Sequence, residues 1–265
     1  MSDLKDRSII VTGAAGSIGH ATACVLASRG ANLMLVDING EGLVERRGIV
    51  AAFGTRVETC TADVSRSADV RGYVEAAQRA FGRIDGLFNN AGIDGKVASI
   101  ESFEEEEFDR IIAVNLKGMF LNLRHVIPVM LAQAGEGGFG GAIVNTGSIA
   151  SERGLGGACA YNAAKHGVVG LTRTAAADVA ARGVRVNAVL PGVIDTPLLE
   201  GMLHTMFKGD VQLGKRTLGR IAPQARIGLP QEVGEVVAFL LSDAASFVNG
   251  AAWALDGGAL CTIRH

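Results

Sequence analysis

Thr12-Gly13-Ala14-Ala15-Gly16-Ser17-Ile18-Gly19 joins an apolar run over residues 8–12, typical of a buried strand, to an amphipathic run over residues 17–29, typical of a helix. Glycines at such a turn let the backbone bend sharply and approach a pyrophosphate group, whose charge is met by amides at the helix N-terminus. Glycine spacing alone is weak evidence, but at a first strand-to-helix turn it favours a dinucleotide-binding site. The residues expected there are Gly13, Gly16, Ser17, Ile18 and Gly19.

Short β-branched runs alternate with longer amphipathic runs along the whole chain, which is the pattern of a parallel sheet with helices on both faces. Strands are expected at 8–12, 32–36, 56–60, 86–89, 142–145, 184–189 and 251–255. Helices are expected at 17–29, 41–53, 67–81, 105–133, 160–181 and 230–241. No repeat or composition break divides the 265 residues, so we predict one α/β domain over 1–265, with a Rossmann-type doubly wound sheet of about seven strands.

The composition argues against several classes of function. A net charge of −2 and the lack of a basic tract give no electrostatic case for nucleic acid. No uninterrupted apolar stretch reaches the roughly 20 residues that span a bilayer, and the polar N-terminus does not resemble a signal peptide. The four cysteines are scattered and the histidines lack partners at metal-ligand spacing, so we expect neither zinc nor disulfides, and a cytoplasmic protein with reduced thiols.

Tyr161 and Lys165 lie four residues apart, which is one helical turn, so their side chains share a face of the predicted helix. A cation close to a phenol favours the phenolate and lowers its pKa from about 10 toward the working range. Ser148, thirteen residues before Tyr161, offers a hydrogen-bond donor to a carbonyl or alkoxide oxygen. The pattern is weak alone, because Tyr-x-x-x-Lys also occurs as an ordinary surface pair.

Asp37 follows Gly19 by 18 residues, at the end of the second predicted strand. A carboxylate at this position accepts hydrogen bonds from ribose hydroxyls and repels a 2′-phosphate. Neither Ile38 nor the loop offers a basic side chain for such a phosphate, so the sequence predicts NAD over NADP. The alternative is that Asp37 only begins an Asp-Ile-Asn-Gly turn.

Several motifs occur in an order typical of one family. They are Thr12-Gly13 to Gly19, Asp63-Val64, Asn89-Asn90-Ala91-Gly92, Asn115, Ser148, Tyr161 with Lys165, and Pro191-Gly192 to Thr196. On these motifs the chain resembles a classical short-chain dehydrogenase/reductase over essentially its whole length. The resemblance is specific because several motifs, each weak singly, are present in the right order.

The resemblance implies that the dinucleotide lies along the carboxyl edge of the sheet. Asp63 is then expected to hydrogen-bond the adenine amino group, and Val64 to lie against the adenine ring. The residues expected near the adenosine ribose are Asn90, Ala91 and Gly92. The residues expected at the nicotinamide end are Pro191, Gly192, Ile194 and Thr196, of which the last two would hold the carboxamide.

The resemblance also implies the catalytic roles for interconversion of an alcohol and a ketone. Tyr161 would exchange the hydroxyl proton while hydride passes to or from the nicotinamide, and Lys165 would lower the tyrosine pKa and bind the nicotinamide ribose. Ser148 would steady the substrate oxygen, a role in which loss of one donor typically slows the reaction about 100-fold or more. Asn115 would anchor a water that links Lys165 to solvent, unless it is a helix residue that merely bonds a backbone carbonyl.

One departure from the family pattern leaves two other functions open. The family pattern has a glycine at position 17, but this chain has Ser17 there and a glycine one position earlier, Gly16. The Ser17 hydroxyl could reach the phosphate. The resulting Gly-x-x-Gly-x-x-Gly spacing resembles the extended branch, which includes epimerases and dehydratases using tightly held NAD. Those chains typically carry a further substrate domain, and no sequence for one follows the last predicted strand here. A non-catalytic dinucleotide sensor is the other alternative, although such proteins tend to lose the tyrosine or the lysine.

Residues 195–226 are expected to form the substrate lid. The apolar side chains predicted to line it are Leu198, Leu199, Met202, Met206 and Phe207, which favours an apolar or cyclic alcohol or ketone. The alternative is a short helix packed onto the body. The basic residues that follow are Lys208, Lys215, Arg216, Arg220 and Arg226. They are expected to lie in a solvated flexible loop, or else to meet an anionic substrate.

The family usually assembles through its two long helices, here 105–133 and 160–181, so a homotetramer or homodimer is expected. The small and apolar residues that would suit such a seam are Ala164, Val168, Val169, Leu171 and Ala175. Cys159 could face the active-site pocket, although an ordinary packed thiol is the simpler reading. The C-terminal tail, residues 261–265, is expected to cross to a neighbouring subunit or to fray.

Overall fold

Seven strands form one parallel sheet in the order β3-β2-β1-β4-β5-β6-β7. The computed structural model describes residues 3–135 and 138–262. The strands are β1 Ser8–Thr12, β2 Asn32–Asp37, β3 Val57–Thr61, β4 Gly86–Asn89, β5 Gly141–Thr146, β6 Val184–Pro191 and β7 Ala252–Leu255. Every neighbouring pair is parallel, so the predicted doubly wound sheet of seven strands is confirmed.

The helices connect these strands on both faces of the sheet. They are α1 Ser17–Ser28, α2 Gly40–Ala51, α3 Ser67–Phe81, α4 Glu105–Ile112, α5 Gly118–Ala134, α6 Cys159–Val179, α7 Pro197–Met206, α8 Val211–Gly219 and α9 Pro230–Leu241. A π-helical segment, Ala113–Lys117, joins α4 to α5. Within the described residues, no helix is both long and apolar enough to cross a membrane.

The sheet separates two apolar cores, because side chains of a strand alternate between its faces. On one face, Ile9 and Val11 of β1 pack with residues of α1 and α9. On the other, Ile10 packs with residues of α3 and α5. The central strands β1, β4, β5 and β6 are buried along their whole length, as expected for parallel strands covered by helices on both sides.

Two predictions along the chain need correction. The predicted helix over 105–133 is helical throughout but is interrupted by the wider π-helical turn at 113–117. The basic segment over 208–226, predicted as a flexible loop, contains the helix α8, which Asp210 caps by accepting from the Leu213 amide at 2.8 Å. Part of the predicted loop at 135–141 lies outside the described residues, since these omit 136 and 137.

Candidate active site

The carboxyl ends of β1 and β4 lie side by side at the point where the strand order changes direction. In open parallel sheets this switch point opens a crevice between the loops that leave the two strands in opposite directions. The turn after β1 carries the glycine motif, and the turn after β4 carries Asn90, Ala91 and Gly92. The fold therefore brings two of the predicted motifs to the same crevice.

The glycine turn is shaped by close approach of backbone to backbone. Gly13 has a φ of +69°, and a Cβ there would lie 2.9 Å from the Ala91 Cα. A Cβ on Gly19 would lie 2.1 Å from the Gly13 carbonyl oxygen, so α1 packs directly on the turn. Ser17 begins α1, and Gly16 before it supplies no side-chain cap, which leaves first-turn amides for an anion. These features fit the pyrophosphate of a dinucleotide.

Thr12 ties the two turns together, and sequence analysis assigned it no role. Its Oγ accepts from the Asn90 amide at 2.9 Å and from the Ala91 amide at 3.1 Å. Asn90 in turn donates through Nδ2 to the Thr12 carbonyl oxygen at 3.1 Å. The signal for this role in the sequence was a threonine immediately before the first glycine turn. Its hydrogen-bond partners, however, lie 78 and 79 residues away in the chain.

Asp37 ends β2 beside the glycine turn. Its Oδ2 accepts from the Ala15 amide at 3.0 Å, and its Oδ1 accepts from the Asn39 amide at 2.9 Å. Each carboxylate oxygen can accept more than one hydrogen bond, so both remain able to accept from a ribose hydroxyl. The next side chain, Ile38, is 71% exposed and apolar, and supplies no cation for a phosphate.

Asp63 and Val64 follow β3 at the same edge of the sheet. Asp63 Oδ1 accepts from the Ser65 amide at 2.9 Å and from the Ser65 hydroxyl at 2.7 Å. Val64 is buried and packs against the first residue of α5, since a Cβ on Gly118 would lie 3.0 Å from its Cγ2. The local turn thus fixes both side chains at the carboxyl edge of the sheet.

Ser148, Tyr161 and Lys165 converge at the end of β5. Ser148 caps a short 3-10 turn by accepting from the Ala150 amide at 3.1 Å, and Tyr161 contacts the Ser148 side chain. The Lys165 Nζ lies 5.5 Å from the centre of the Tyr161 ring. Ser151 Oγ donates to the Lys165 carbonyl oxygen at 2.7 Å, which anchors α6 to the Ser148 turn.

Burial dominates the electrostatics of this cluster. It raises the pKa of the Tyr161 phenol to about 12, and the contact with Ser148 opposes that rise. It also lowers the pKa of Lys165, which is 4% exposed, to about 8. Sequence analysis expected Lys165 to lower the tyrosine pKa. In the structure the ammonium donates to the Thr146 carbonyl oxygen at 2.8 Å, and desolvation is the largest influence on the pKa of the phenol.

Asn115 is fully buried in the π-helical segment. Its Oδ1 accepts from the Ile93 amide and its Nδ2 donates to the Ile93 carbonyl oxygen, both at 2.8 Å. A Cβ on Gly92 would lie 3.1 Å from the same Oδ1, so the turn after β4 rests on this side chain. The Asn115 side chain therefore hydrogen-bonds backbone groups, which was the alternative to its predicted role of anchoring a water.

Asp94 is a further charged group that sequence analysis missed. It is exposed, two residues after Gly92, and its negative charge raises the pKa of both Tyr161 and Lys165. The loop that carries it is held at both ends. Asn115 bonds Ile93 on one side, and Glu107 Oε1 accepts from the Lys96 amide at 3.0 Å on the other.

The segment after β6 borders the crevice from the other side. Gly192 donates through its amide to the Leu255 carbonyl oxygen at 3.0 Å, and a Cβ there would lie 2.9 Å from the Asp256 Cα. Ile194 is nearly buried and pairs with Gly228 in an isolated bridge. Thr196 begins α7 as its cap and accepts from the Leu199 amide at 3.2 Å.

Known proteins with similar sequences and structures match nearly the whole chain. A family model described as Enoyl-(Acyl carrier protein) reductase matches residues 13–259. Levodione reductase of Leifsonia aquatica is 44% identical over 96% of this chain and 94% of its own length. Cyclohexanol dehydrogenase of Acinetobacter sp. (strain SE19) is 40% identical over 96% of this chain and 94% of its own. The chain belongs to the short-chain dehydrogenase/reductase family.

Solved structures agree with this assignment. A crystal structure of levodione reductase matches with a TM-score of 0.92 and 42% identity, covering 98% of this chain and 99% of that one. NAD+-bound xylitol dehydrogenase matches with a TM-score of 0.90 and 34% identity, covering 96% and 99%. The chain is a classical family member, an oxidoreductase that uses a nicotinamide dinucleotide to interconvert an alcohol and a ketone. The extended-branch and sensor alternatives are therefore not retained.

The segment over 195–226, predicted as a substrate lid, contains two helices that pack on each other, α7 and α8. A cavity of about 360 Å³ lies beneath α8, between the ends of β6 and β7 and the start of α9. Its lining mixes the apolar side chains of Ile149, Val193, Ile194, Leu218, Ile221 and Leu255 with the polar and charged ones of Gln224, Arg226, Glu232 and Asp256. The predicted walls from α7 do not line it. Met202 and Met206 are exposed instead, and the side chain of Leu198 lies outside what the structure describes.

Three further expectations can be compared with the structure. Of the residues predicted for a seam between subunits, Ala164, Val168 and Val169 are buried within the subunit, and Leu171 and Ala175 are partly buried. Cys159 is half-buried and lines a separate hollow with residues of α4. The tail folds back far enough for the Thr262 carbonyl oxygen to accept from Arg153 Nη2 at 3.1 Å, and residues 263–265 lie outside the described part of the chain.

Proposed function

We propose that the chain is an NAD(H)-dependent oxidoreductase that interconverts a secondary alcohol and a ketone on an apolar, cyclic small molecule. The observation that carries this proposal is the convergence of Ser148, Tyr161 and Lys165 beside the glycine turn of the family. A lysine that is 4% exposed and has a lowered pKa is typical of sites that transfer protons.

In this proposal the dinucleotide follows the carboxyl edge of the sheet. The uncapped start of α1, with Gly13, Gly16, Ser17, Ile18 and Gly19, holds the pyrophosphate. Asp37 accepts from the adenosine ribose, and Asp63 and Val64 hold the adenine. The residues near the ribose are Asn90, Ala91 and Gly92, and those at the nicotinamide end are Pro191, Gly192, Ile194 and Thr196.

The bound nicotinamide supplies the hydride acceptor or donor. Tyr161 exchanges the proton of the reacting oxygen, and Ser148 donates a hydrogen bond to that oxygen as its charge develops. In the reducing direction a phenol with a pKa of about 12 is already protonated at neutral pH and can give its proton to the alkoxide. In the oxidising direction the phenol must first lose that proton, which Lys165 and the positive charge of an oxidised nicotinamide both favour.

Asn115 has a less direct part in this scheme. Its side chain is engaged with Ile93, so a proton relay from Lys165 to water would have to use its backbone. Through the same two hydrogen bonds the Asn115 side chain supports the loop that carries Asp94. We therefore assign Asn115 the positioning of the site, with the water relay as a second role.

The cyclic and apolar substrate is inferred from two sources. Two relatives are named for action on levodione and on cyclohexanol. The cavity beneath α8, of about 360 Å³, is lined in part by apolar side chains, among them Ile149, the neighbour of Ser148. A ring bearing the reacting carbon at Ser148 could place its remaining carbon atoms toward that cavity.

The preference for NAD over NADP rests on Asp37 and Ile38. The carboxylate repels a 2′-phosphate, and the exposed apolar side chain after it offers no compensating cation. We further propose one catalytic domain over 1–265 with a lid at 195–226, and a cytoplasmic location, which the four free thiols support.

A homotetramer, or a homodimer, is the proposed assembly. Two separate apolar surfaces support it. Phe108 and Phe120 are exposed on α4 and α5, and Phe247 and Trp253 are exposed at the β7 edge of the sheet. The mass of the protein in solution, measured by light scattering, tests this assembly. A monomer at micromolar concentration would contradict it.

A substrate panel tests the activity. Cyclohexanol, cyclohexanediols and linear secondary alcohols of the same carbon number are offered with NAD and with NADP, and the absorbance of the reduced nicotinamide is followed. The expected result is a higher kcat/KM for the rings, with NAD preferred. Turnover of the linear alcohols alone would contradict the cyclic substrate, and a preference for NADP would contradict the cofactor.

A further inference from the structure

Lys215 has a different environment from the one the sequence predicted for the basic segment. It lies in α8 with a side chain that is only 17% exposed. Its Nζ donates to Asp195 Oδ2 at 2.9 Å and to Glu200 Oε1 at 2.5 Å. These two hydrogen bonds raise the pKa of Lys215, so it stays an ammonium throughout the physiological range. Its charge is matched by two carboxylates and is not free for an anionic substrate.

The helix that carries Lys215 is packed tightly against α7. A Cβ on Gly214 would lie 2.9 Å from side-chain atoms of both Leu203 and Phe207, so only glycine allows this approach. Further along, Leu218 of α8 lines the cavity, followed by Ile221 and Ala222 after the helix. These three residues form what we call the roof of the cavity, so a movement of α8 changes the shape of that roof.

Asp195, the main partner of Lys215, lies between Ile194 and Thr196. Its amide donates to the Gly228 carbonyl oxygen at 2.8 Å, which fixes the backbone but leaves the carboxylate to Lys215. Within the described residues, the Asp195 carboxylate makes no other hydrogen bond or ion pair. Lys215 is thus ion-paired with Asp195. The two neighbours of Asp195, Ile194 and Thr196, are the residues that the proposed function assigns to the nicotinamide carboxamide.

We propose that Lys215 is a positioning residue that couples the roof of the substrate cavity to the cofactor-binding segment 194–196. This rests on the proposed function, because that function places the cofactor beside Asp195. With the ion pair intact, the orientation of Ile194 and Thr196 and the position of α8 change together. Coupling between two sites is reciprocal, so cofactor and substrate each bind more tightly when the other is present.

Binding of NADH alone gives the first test, using the full-length protein. Lys215→Met keeps the length of the side chain and removes its charge, and Lys215→Arg keeps the charge. Arg216→Met is the matched control, because Arg216 is the next residue of the same helix and forms no ion pair among the described residues. We expect the NADH dissociation constant to rise about tenfold in Lys215→Met, within the range typical of coupled sites. It should return close to the wild-type value in Lys215→Arg and change less than about twofold in the control.

Steady-state kinetics distinguish positioning from a general loss of structure. Loss of the ion pair should raise KM for both NAD and the alcohol while kcat changes little, since Lys215 does not contact the reacting atoms. Asp195→Asn should reproduce Lys215→Met, and the double variant should be no worse than either single one. An NADH dissociation constant in Lys215→Met equal to that of wild type would overturn the coupling and leave the proposed function intact. Wild type failing to bind NADH would overturn both.

Discussion

Asn115 holds the peptide backbone of Ile93 through both ends of its side-chain amide, with donor and acceptor distances of 2.8 Å. The pair joins the π-helical turn between α4 and α5 to the loop after β4. Asn115 is fully buried, so both of these hydrogen bonds lie away from solvent. The family motif residue therefore acts first as a structural clamp on the loop that brings Asp94 to the active site.

Asn115→Ala should destabilise the fold by about 2–4 kcal/mol, because it leaves one buried amide and one buried carbonyl of Ile93 without a partner. The free energy of unfolding in urea measures this. Asn39→Ala is the control, since Asn39 bonds a single exposed amide as the cap of α2 and should cost about 1 kcal/mol. Equal losses in the two variants would argue against the clamp.

Tyr161→Phe should lower kcat by about 100-fold to 10,000-fold, because it removes the proton-transfer group and leaves the ring in place. Tyr73→Phe is a matched control with the other tyrosine of the chain. The Tyr73 hydroxyl is buried and donates to Asn122, so its loss should lower stability by about 1–3 kcal/mol and leave kcat unchanged. Comparable kcat values for Tyr161→Phe and wild type would remove Tyr161 from the chemistry.

The parts of the site that were predicted from the sequence are those that depend on local sequence patterns. The strand, glycine turn and helix over 8–28 depend on apolar periodicity and on glycine at a turn, and both are visible in a short window. The Tyr161–Lys165 pair follows from one helical turn. These elements lie where they were expected.

The parts that were missed depend on contacts between distant segments. Thr12 bonds residues 78 and 79 positions away, and Asp94 approaches Tyr161 only after α6 has packed on the sheet. The segment that forms α8 was predicted as a loop because of its charges. Gly214 is required there by packing on Leu203, and the Asp210 cap was the local signal that favoured a helix.

We expect the rate of alcohol oxidation to rise with pH, and in Asp94→Asn this rise should occur at a lower pH than in wild type. The negative charge of Asp94 raises the pKa of both Tyr161 and Lys165, so its removal makes the phenolate easier to form. The pH dependence of kcat/KM for alcohol oxidation measures the shift. Asp178→Asn removes the same charge near the far end of α6 and should leave the profile unchanged. A shift to higher pH in Asp94→Asn would contradict this electrostatic role.

Asp37→Ala should narrow the preference for NAD over NADP by about tenfold, which corresponds to about 1.4 kcal/mol of removed repulsion. Adding Ile38→Arg should narrow it further, because an exposed side chain at this position can reach a 2′-phosphate. The ratio of kcat/KM values for the two cofactors measures both effects. Glu41→Ala removes a nearby acid of α2 and serves as the control. An unchanged ratio in Asp37→Ala would mean that another group excludes the phosphate.

Lys165 should make the fold more stable as pH rises from about 8 toward 10. Burial lowers its pKa from 10.5 to about 8 in the folded protein, while the unfolded chain keeps the ordinary value. Between these two values the unfolded state binds the extra proton, so the free energy of unfolding increases with pH. Below pH 8 the folded protein must keep a buried ammonium, and the destabilising effect is complete.

Lys165→Met should remove this rise, as measured by urea unfolding at intervals from pH 7 to pH 10. Other groups contribute in the same range with the opposite sign. Burial raises the pKa of the Cys24 and Cys60 thiols above 9, so they reduce stability as pH increases beyond that value. The difference between wild type and Lys165→Met isolates the lysine, because the thiols are present in both. A difference that stays constant with pH would mean that Lys165 keeps its ordinary pKa in the folded protein.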